Sequence, residues 1–109
     1  MIYHKIMNKA EDYIEDNLHS VIRLNDIAQH VGLSDFHFHR LFKQHSNETI
    51  HSFVSRVKIE RSSIFLKVRN DLTITEVAYL YGYSDSSSYI RAFKKYFGVS
   101  PSQFRNSKI

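Results

Sequence analysis

Two arginines and their neighbours carry the chemistry that stands out in this chain. Arg40 precedes Phe42 and Lys43, and Arg91 precedes Phe93 and Lys94 at the same spacing, fifty-one residues later. A guanidinium is a permanent cation with a rigid fork of donors that matches paired acceptors and phosphate. At helical spacing Phe36, His39, Arg40 and Lys43 share one face, and Phe38, Leu41, Phe42 and His45 share the other. In the second segment Ser87, Ile90, Arg91 and Lys94 form the front, with Ser86 and Lys95 beside them. Tyr89, Ala92, Phe93, Tyr96 and Phe97 form its back. A short helix with an apolar back and a small, hydroxylated, cationic front fits a DNA major groove. There an arginine can donate a bidentate pair to guanine O6 and N7, and an aliphatic such as Ile90 can meet a thymine methyl. Phe36 is a candidate for the same apolar contact. Against this stands the ordinary reading of a solvated arginine and of single exposed apolar residues.

These faces need elements to hold them. Ala28, Gly32, Ser34 and Asp35 recur fifty residues on as Ala78, Gly82, Ser84 and Asp85, which puts one added residue between Asp85 and Tyr89. A repeat of this period is two copies of one supersecondary unit. In each copy a short helix (Leu24, Ile27, Ala28, Val31; then Val77, Ala78, Leu80, Tyr81) runs into a glycine turn and a second helix, at about 35–46 and 85–97. That is the helix-turn-helix pattern. Ser34 and Ser84 are the expected N-caps, and Gly98 ends the second copy. Thr73 with Glu76, and Ser100 with Pro101 and Gln103, read as helix starts. A first helix over 5–18 buries Ile6, Ala10, Tyr13, Ile14 and Leu18 and exposes Glu11, Asp12, Glu15 and Asp16. A long helix over 49–67 has Ile50, Phe53, Val54, Val57, Ile64 and Phe65 as apolar positions. At ~1.5 Å per residue it spans roughly 28 Å, near one turn of DNA, and Arg56, Lys58 and Arg61 on it are phosphate candidates. The expectation is an all-α fold of about seven helices: two helix-turn-helix lobes, at about 5–48 and 72–107, joined by the long helix.

Bulk properties narrow the function. The 109 residues, 42% hydrophobic, suffice for one domain or two small lobes. Net charge is +4, and residues 1–33 are net acidic whereas 34–69 and 70–109 are net basic, which suggests a polyanion partner. With no cysteine there is no disulfide or thiolate metal site. The seven histidines include no HExxH and no pair at i, i+4, and His37 and His39 point nearly opposite ways on a helix. His45 is expected against the core. No metal, cofactor or catalytic residue is expected, because no phosphate loop, nucleophile elbow or dinucleotide motif occurs. No apolar run is long enough for a membrane helix, and the expected location is the cytoplasm. A helical protein–protein module is the alternative reading, and lack of salt-dependent DNA affinity would distinguish it.

SDSSSYIRAFKKYFGVSPSQFR, SDFHFHRLFK, RVKIER and TITEVAYLYGYS together resemble the DNA-binding domain of the AraC/XylS family of bacterial transcription regulators, over about residues 3–106. The arrangement FHFHRLF after an N-terminal helix is similar to a subgroup in which a gyrase-inhibitor-like effector domain follows. The resemblance implies two recognition helices in successive major grooves. It makes Phe36, His39, Arg40, Ser86, Ser87, Ile90 and Arg91 base-facing, with Ser34, Lys43, Arg56, Ser84, Lys94 and Lys95 on phosphate. It also implies double-stranded DNA and RNA polymerase as partners, an activator role on the bacterial nucleoid, and an effector acting only through a domain outside this chain. Several residues depart from the family pattern. Asn47 replaces a glycine but tolerates the left-handed conformation. Arg23 replaces a Ser/Thr cap and weakens it. Ser62 and Ser63 replace alanine, which is expected to loosen the packing between lobes. Ser86 and Ser87 are shorter than the glutamines of some relatives, which leaves water-mediated or phosphate contacts open.

Overall fold

The computed structural model describes residues 2–107. It comprises α1 (Ile2–Asp16), α2 (Leu24–Val31), α3 (Asp35–Ser46), α4 (Ile50–Val68), α5 (Ile74–Leu80), α6 (Ser86–Phe97) and α7 (Pro101–Asn106). No strand occurs among the described residues. The chain divides into two compact units, Met1–Val54 and Ser55–Ile109.

In the first unit, Ala10, Ile14 and Leu18 are buried with Ile27 and Ala28 of α2, Phe38 and Phe42 of α3, and Ile50 and Val54 from the start of α4. Ala28 has no exposed surface, and its single methyl lets α2 and α3 approach closely. The Phe42 ring meets Phe38 at 6.1 Å and Phe53 at 5.4 Å. The acidic face of α1 is exposed, as its pattern implied. Gly32 ends α2 at φ +81°, where an added Cβ would meet nothing within 4 Å. Glycine is therefore needed for its dihedral freedom and not for space. Asn47 ends α3 at φ +60°, the left-handed conformation expected of it. Arg23 supplies no side-chain cap to α2. What remains is the reciprocal half of the motif, in which the Arg23 backbone N–H donates to Asp26 at 3.2 Å.

The second unit is built on α4 differently from the apolar pattern. Ile64 is 62% exposed, while Ile59, Ser62, Ser63 and Leu66 face inward. These four positions fall at i, i+3, i+4 and i+7, one helix stripe. Two of them are serines, so hydropathy alone missed the stripe. Their hydroxyls are satisfied. Ser62 Oγ donates to the Ile59 carbonyl at 2.8 Å and accepts from Tyr89 Oη at 2.8 Å, and Ser63 donates to the Glu60 carbonyl at 2.6 Å. Lys58, a phosphate candidate by sequence, is 6% exposed. Its ammonium donates to the Tyr81 carbonyl at 3.0 Å, just past α5, and burial lowers its pKa. A cation there meets the negative end of a helix. Leu80 turns outward and Tyr81 inward, with the Tyr81 ring edge-on to Phe65 at 6.0 Å.

The ends of α4 and α7 exchange cations. Arg105 donates to the Leu66 and Arg69 carbonyls, each at 3.1 Å, at the C-terminus of α4. Lys67 donates to the Ser107 carbonyl at 2.6 Å and hydroxyl at 2.9 Å, at the end of α7. Each helix thus supplies donors to the orphan carbonyls of the other. The full capping boxes at Thr73–Glu76 and Ser100–Gln103 start α5 and α7 as their sequences indicate.

Truncating either ring of the two cores tests this inside-out assignment. Phe42→Ala and Phe93→Ala are each expected to cost about 3–5 kcal/mol, read from chemical denaturation; unchanged midpoints would show that the wrong faces have been turned inward. The second expectation concerns alkali. Burial pushes the Tyr89 phenol up to about 12 from an ordinary value of 10.0. The folded state keeps a proton that the unfolded chain releases, so this contribution is complete below pH 10 and declines as pH rises towards 12. Tyr89→Phe should remove that part of the alkaline loss of stability. A variant whose stability falls between pH 10 and 12 as steeply as the parent's would contradict it.

Candidate nucleic-acid interface

The rotation of α3 and α6 is set by their backs. Phe38 and Phe42 anchor α3, and Tyr89 and Phe93 anchor α6. The stack Tyr83–Tyr89–Phe93–Phe97–Phe104 continues the second anchor, with neighbouring centroids 4.7–5.8 Å apart. Tyr96, placed in the apolar stripe by spacing, is exposed instead, and its hydroxyl donates to Glu60 Oε2 at 2.6 Å. That bond raises the Tyr96 pKa. The other Glu60 oxygen lies 3.6 Å from Arg56, so this phosphate candidate already faces a carboxylate within α4.

The start of α6 differs from the sequence expectation. Ser84 does not cap it. Asp85 does, accepting the Ser88 backbone N–H at 2.8 Å, and α6 begins at Ser86. The hydrogen bond from that N–H holds the Asp85 carboxyl below the usual range, with Arg91 nearby as a smaller contribution. In the first unit Ser34 is the cap, accepting the His37 N–H at 3.1 Å. Cap to cap, the spacing is therefore fifty-one residues, equal to that of the two arginines. The added residue therefore lies in the turn ahead of the Asp85 cap, and not between Asp85 and Tyr89 as the sequence repeat indicates. Arg40 and Arg91 are each the sixth residue of their helix, and Lys43 and Lys94 each the ninth. Phe36 pairs with Ser87, and His39 with Ile90.

The fronts carry the predicted residues with varied exposure. Phe36 is 72% exposed, an apolar ring with no core to join. Arg40, Lys43, Ser87, Arg91, Lys94, Lys95 and Ser84 are exposed, as is the Ser34 cap. His39, Ser86, Ile90 and Arg56 are half-buried. Arg91 Nη2 lies 3.4 Å from the Ser88 hydroxyl one turn back. In the first unit the equivalent start is tied to α2, where Asn25 donates to Asp35 at 3.0 Å. His45, expected against the core, is exposed and stacks on the Tyr3 ring at 4.0 Å. Lys94 and Lys95 in α6, and Lys43 in α3, sit in the last turn, where cations suit the helix dipole. No group of three or more metal-ligating side chains occurs among the described residues, and none of their helices is long and apolar enough to cross a membrane.

Two short helices, each backed by aromatic packing and led in by a crossing helix and a left-handed glycine turn, define a pair of helix-turn-helix units, the class of domain with which transcription regulators bind DNA. A family model described as a helix-turn-helix domain matches residues 27–107. The chain belongs to this family, in its AraC-type branch of transcription regulators. It is similar to the Msm operon regulatory protein of Streptococcus mutans, 35% identical over 99 residues. That match takes in 91% of this chain and 35% of the relative, so the chain spans about a third of that protein's length. The C-terminal domain of AraT, a response regulator from Geobacillus stearothermophilus, matches with a TM-score of 0.87 and 27% identity, over 95% of this chain and 86% of that one. The DNA-binding domain of AdpA, solved with a target DNA, shares the fold at a TM-score of 0.81 and 19% identity, over 92% and 88% of the two chains.

The register of α6 is open to direct measurement. Asp85→Ala should lower the thermal unfolding midpoint, whereas Ser84→Ala should leave it unchanged, because only the first removes a cap. The reverse result would restore Ser84 to the cap and start α6 one residue earlier.

Proposed function

We propose that this chain binds double-stranded DNA at specific sites, with α3 and α6 entering successive major grooves from two lobes at about 5–48 and 72–107 joined by a linker helix. The observation that carries the reading is the shared register: aligned by their caps, both helices present an arginine at the sixth position and a lysine at the ninth on exposed fronts. Phe36, His39, Arg40, Ser86, Ser87, Ile90 and Arg91 are the proposed base-facing set. Ser34, Lys43, Arg56, Ser84, Lys94 and Lys95 are the proposed phosphate contacts, Arg56 after exchanging Glu60 for phosphate. The AraC-type family and the neighbour solved with its target DNA support the partner. RNA polymerase is the proposed protein partner, for activation in a bacterial cytoplasm. Any effector acts through a domain outside these residues, and the chain itself catalyses no reaction.

Arg91 lies nearer the helix N-terminus, the end that meets base edges in this class, and Lys94 lies a turn further on. Arg91→Ala is expected to lower specific affinity by about 1–3 kcal/mol and relax preference at one base position. Lys94→Ala should weaken binding to all sequences alike and reduce the slope of log affinity against log salt by about one. Both are read by titrating a selected duplex and a scrambled one at several salt concentrations. Equal weakening of both duplexes by Arg91→Ala would make it a phosphate clamp and pass base reading to Ile90.

A further inference from the structure

The second unit carries ten Lys/Arg against four Asp/Glu, a net of +6. Three of its four acids have local work. Asp71 pairs with Arg69 at 2.9 Å, Glu76 completes the capping box of α5, and Asp85 caps α6. Glu60 is the fourth, and it joins two helices. Its Oε2 accepts the Tyr96 hydroxyl of α6 at 2.6 Å, and its Oε1 lies 3.6 Å from Arg56 Nη1, one turn back on α4. The Arg56 and Glu60 side chains are 38% and 44% exposed, open enough for a polyanion to reach. Lys94 and Lys95, which precede Tyr96 on α6, form no ion pair among the described residues. One phosphate candidate of this unit is thus neutralised in advance, and the two on α6 are not. By the cap register Tyr96 corresponds to His45 of α3, which turns to Tyr3 of α1 instead.

We infer that Glu60, pinned by Tyr96, is a built-in competitor for the phosphate that Arg56 would hold, and that it restrains the sequence-independent grip of the second unit on DNA. The inference rests on the DNA-binding reading above. A phosphate that takes Arg56 must sit beside the Glu60 carboxylate, and like charges in contact repel. A carboxylate without a tether would swing into water. Glu60 can do so only by giving up the Tyr96 bond, and that bond holds the phenol proton firmly enough to raise the Tyr96 pKa. At 3.6 Å its hold on Arg56 is coulombic and longer than a hydrogen bond, so phosphate can displace it, but the exchange of one anion for another gains little. Few counterions are released in that exchange, because the counterion of Arg56 is Glu60 itself. Such a device weakens binding to all sequences alike and leaves preference to the base contacts.

The test titrates a selected duplex and a scrambled one with the whole chain over a range of salt. Glu60→Gln keeps an acceptor for Tyr96 and removes the charge. It is expected to tighten binding to both duplexes about threefold and to steepen the slope of log affinity against log salt by about one. Arg56→Ala should change the parent's slope little, yet cancel the gain in the Glu60→Gln background. This cycle separates a competitor at Arg56 from a general acidic charge, whose removal would tighten binding with or without the arginine. Tyr96→Phe, which alters no charge, should deliver part of the gain, and melting curves near the parent's would show each variant folded. Unchanged or weaker binding by Glu60→Gln would overturn the inference, as would a gain that survives Arg56→Ala. No gain in Tyr96→Phe would overturn the pinning. Failure of the parent chain to bind either duplex at any salt would instead overturn the DNA-binding reading on which the inference rests.

Discussion

Rotation of a short helix about its own axis is the constraint on which each unit depends. A helix advances about 100° per residue, so a stripe of two or three buried rings fixes the back and leaves no choice about the front. Phe38 and Phe42 do this for α3, and Tyr89 and Phe93 for α6. The alanines at 28 and 78, both fully buried, bring the preceding helix close enough for those rings to be gripped. Exposed front residues can then vary in chemistry, as Phe36 against Ser87 shows.

In the second unit that grip is reinforced by polar groups taken out of water. A buried hydroxyl without a partner is costly. Ser62 and Tyr89 satisfy each other between α4 and α6, a bond that works at one rotation of each helix. Lys58 reaches the end of α5, and Arg105 and Lys67 fasten α4 to α7. Such bonds favour one arrangement over near alternatives that apolar packing alone would tolerate. Ser62, which by comparison with the family looked like a packing defect, is therefore a tie from α4 to α6.

The seven helices and the two fronts were legible because each depends on local signals: apolar period, capping residues and glycine turns. The remainder escaped for identifiable reasons. Ser84 and Asp85 are both good caps, and only the packed position of Tyr89 decides between them. Ser62 and Ser63 are polar by type, so a stripe that includes them is invisible to hydropathy, and Ile64 was drawn inward in their place. Lys58 looks like a surface cation until the carbonyl of Tyr81 is placed beside it by tertiary structure. His45 sits on the apolar face by spacing, but that face runs out at the end of α3, where Tyr3 covers it from the N-terminal helix.

The position of the extra residue has an evolutionary consequence. Because it lies between the glycine turn and the Asp85 cap, a difference of one residue between the two units changes a loop without shifting the helix that follows. Such a boundary acts as a buffer: any small polar residue able to accept a backbone N–H can restart the count, whatever the length of chain before it. Sister copies of the unit are then free to drift in loop length while inheriting one reading frame. Alignments of such tandem modules should accordingly be anchored on the capping residue, since anchoring on the glycine misplaces every position of the helix front in one copy.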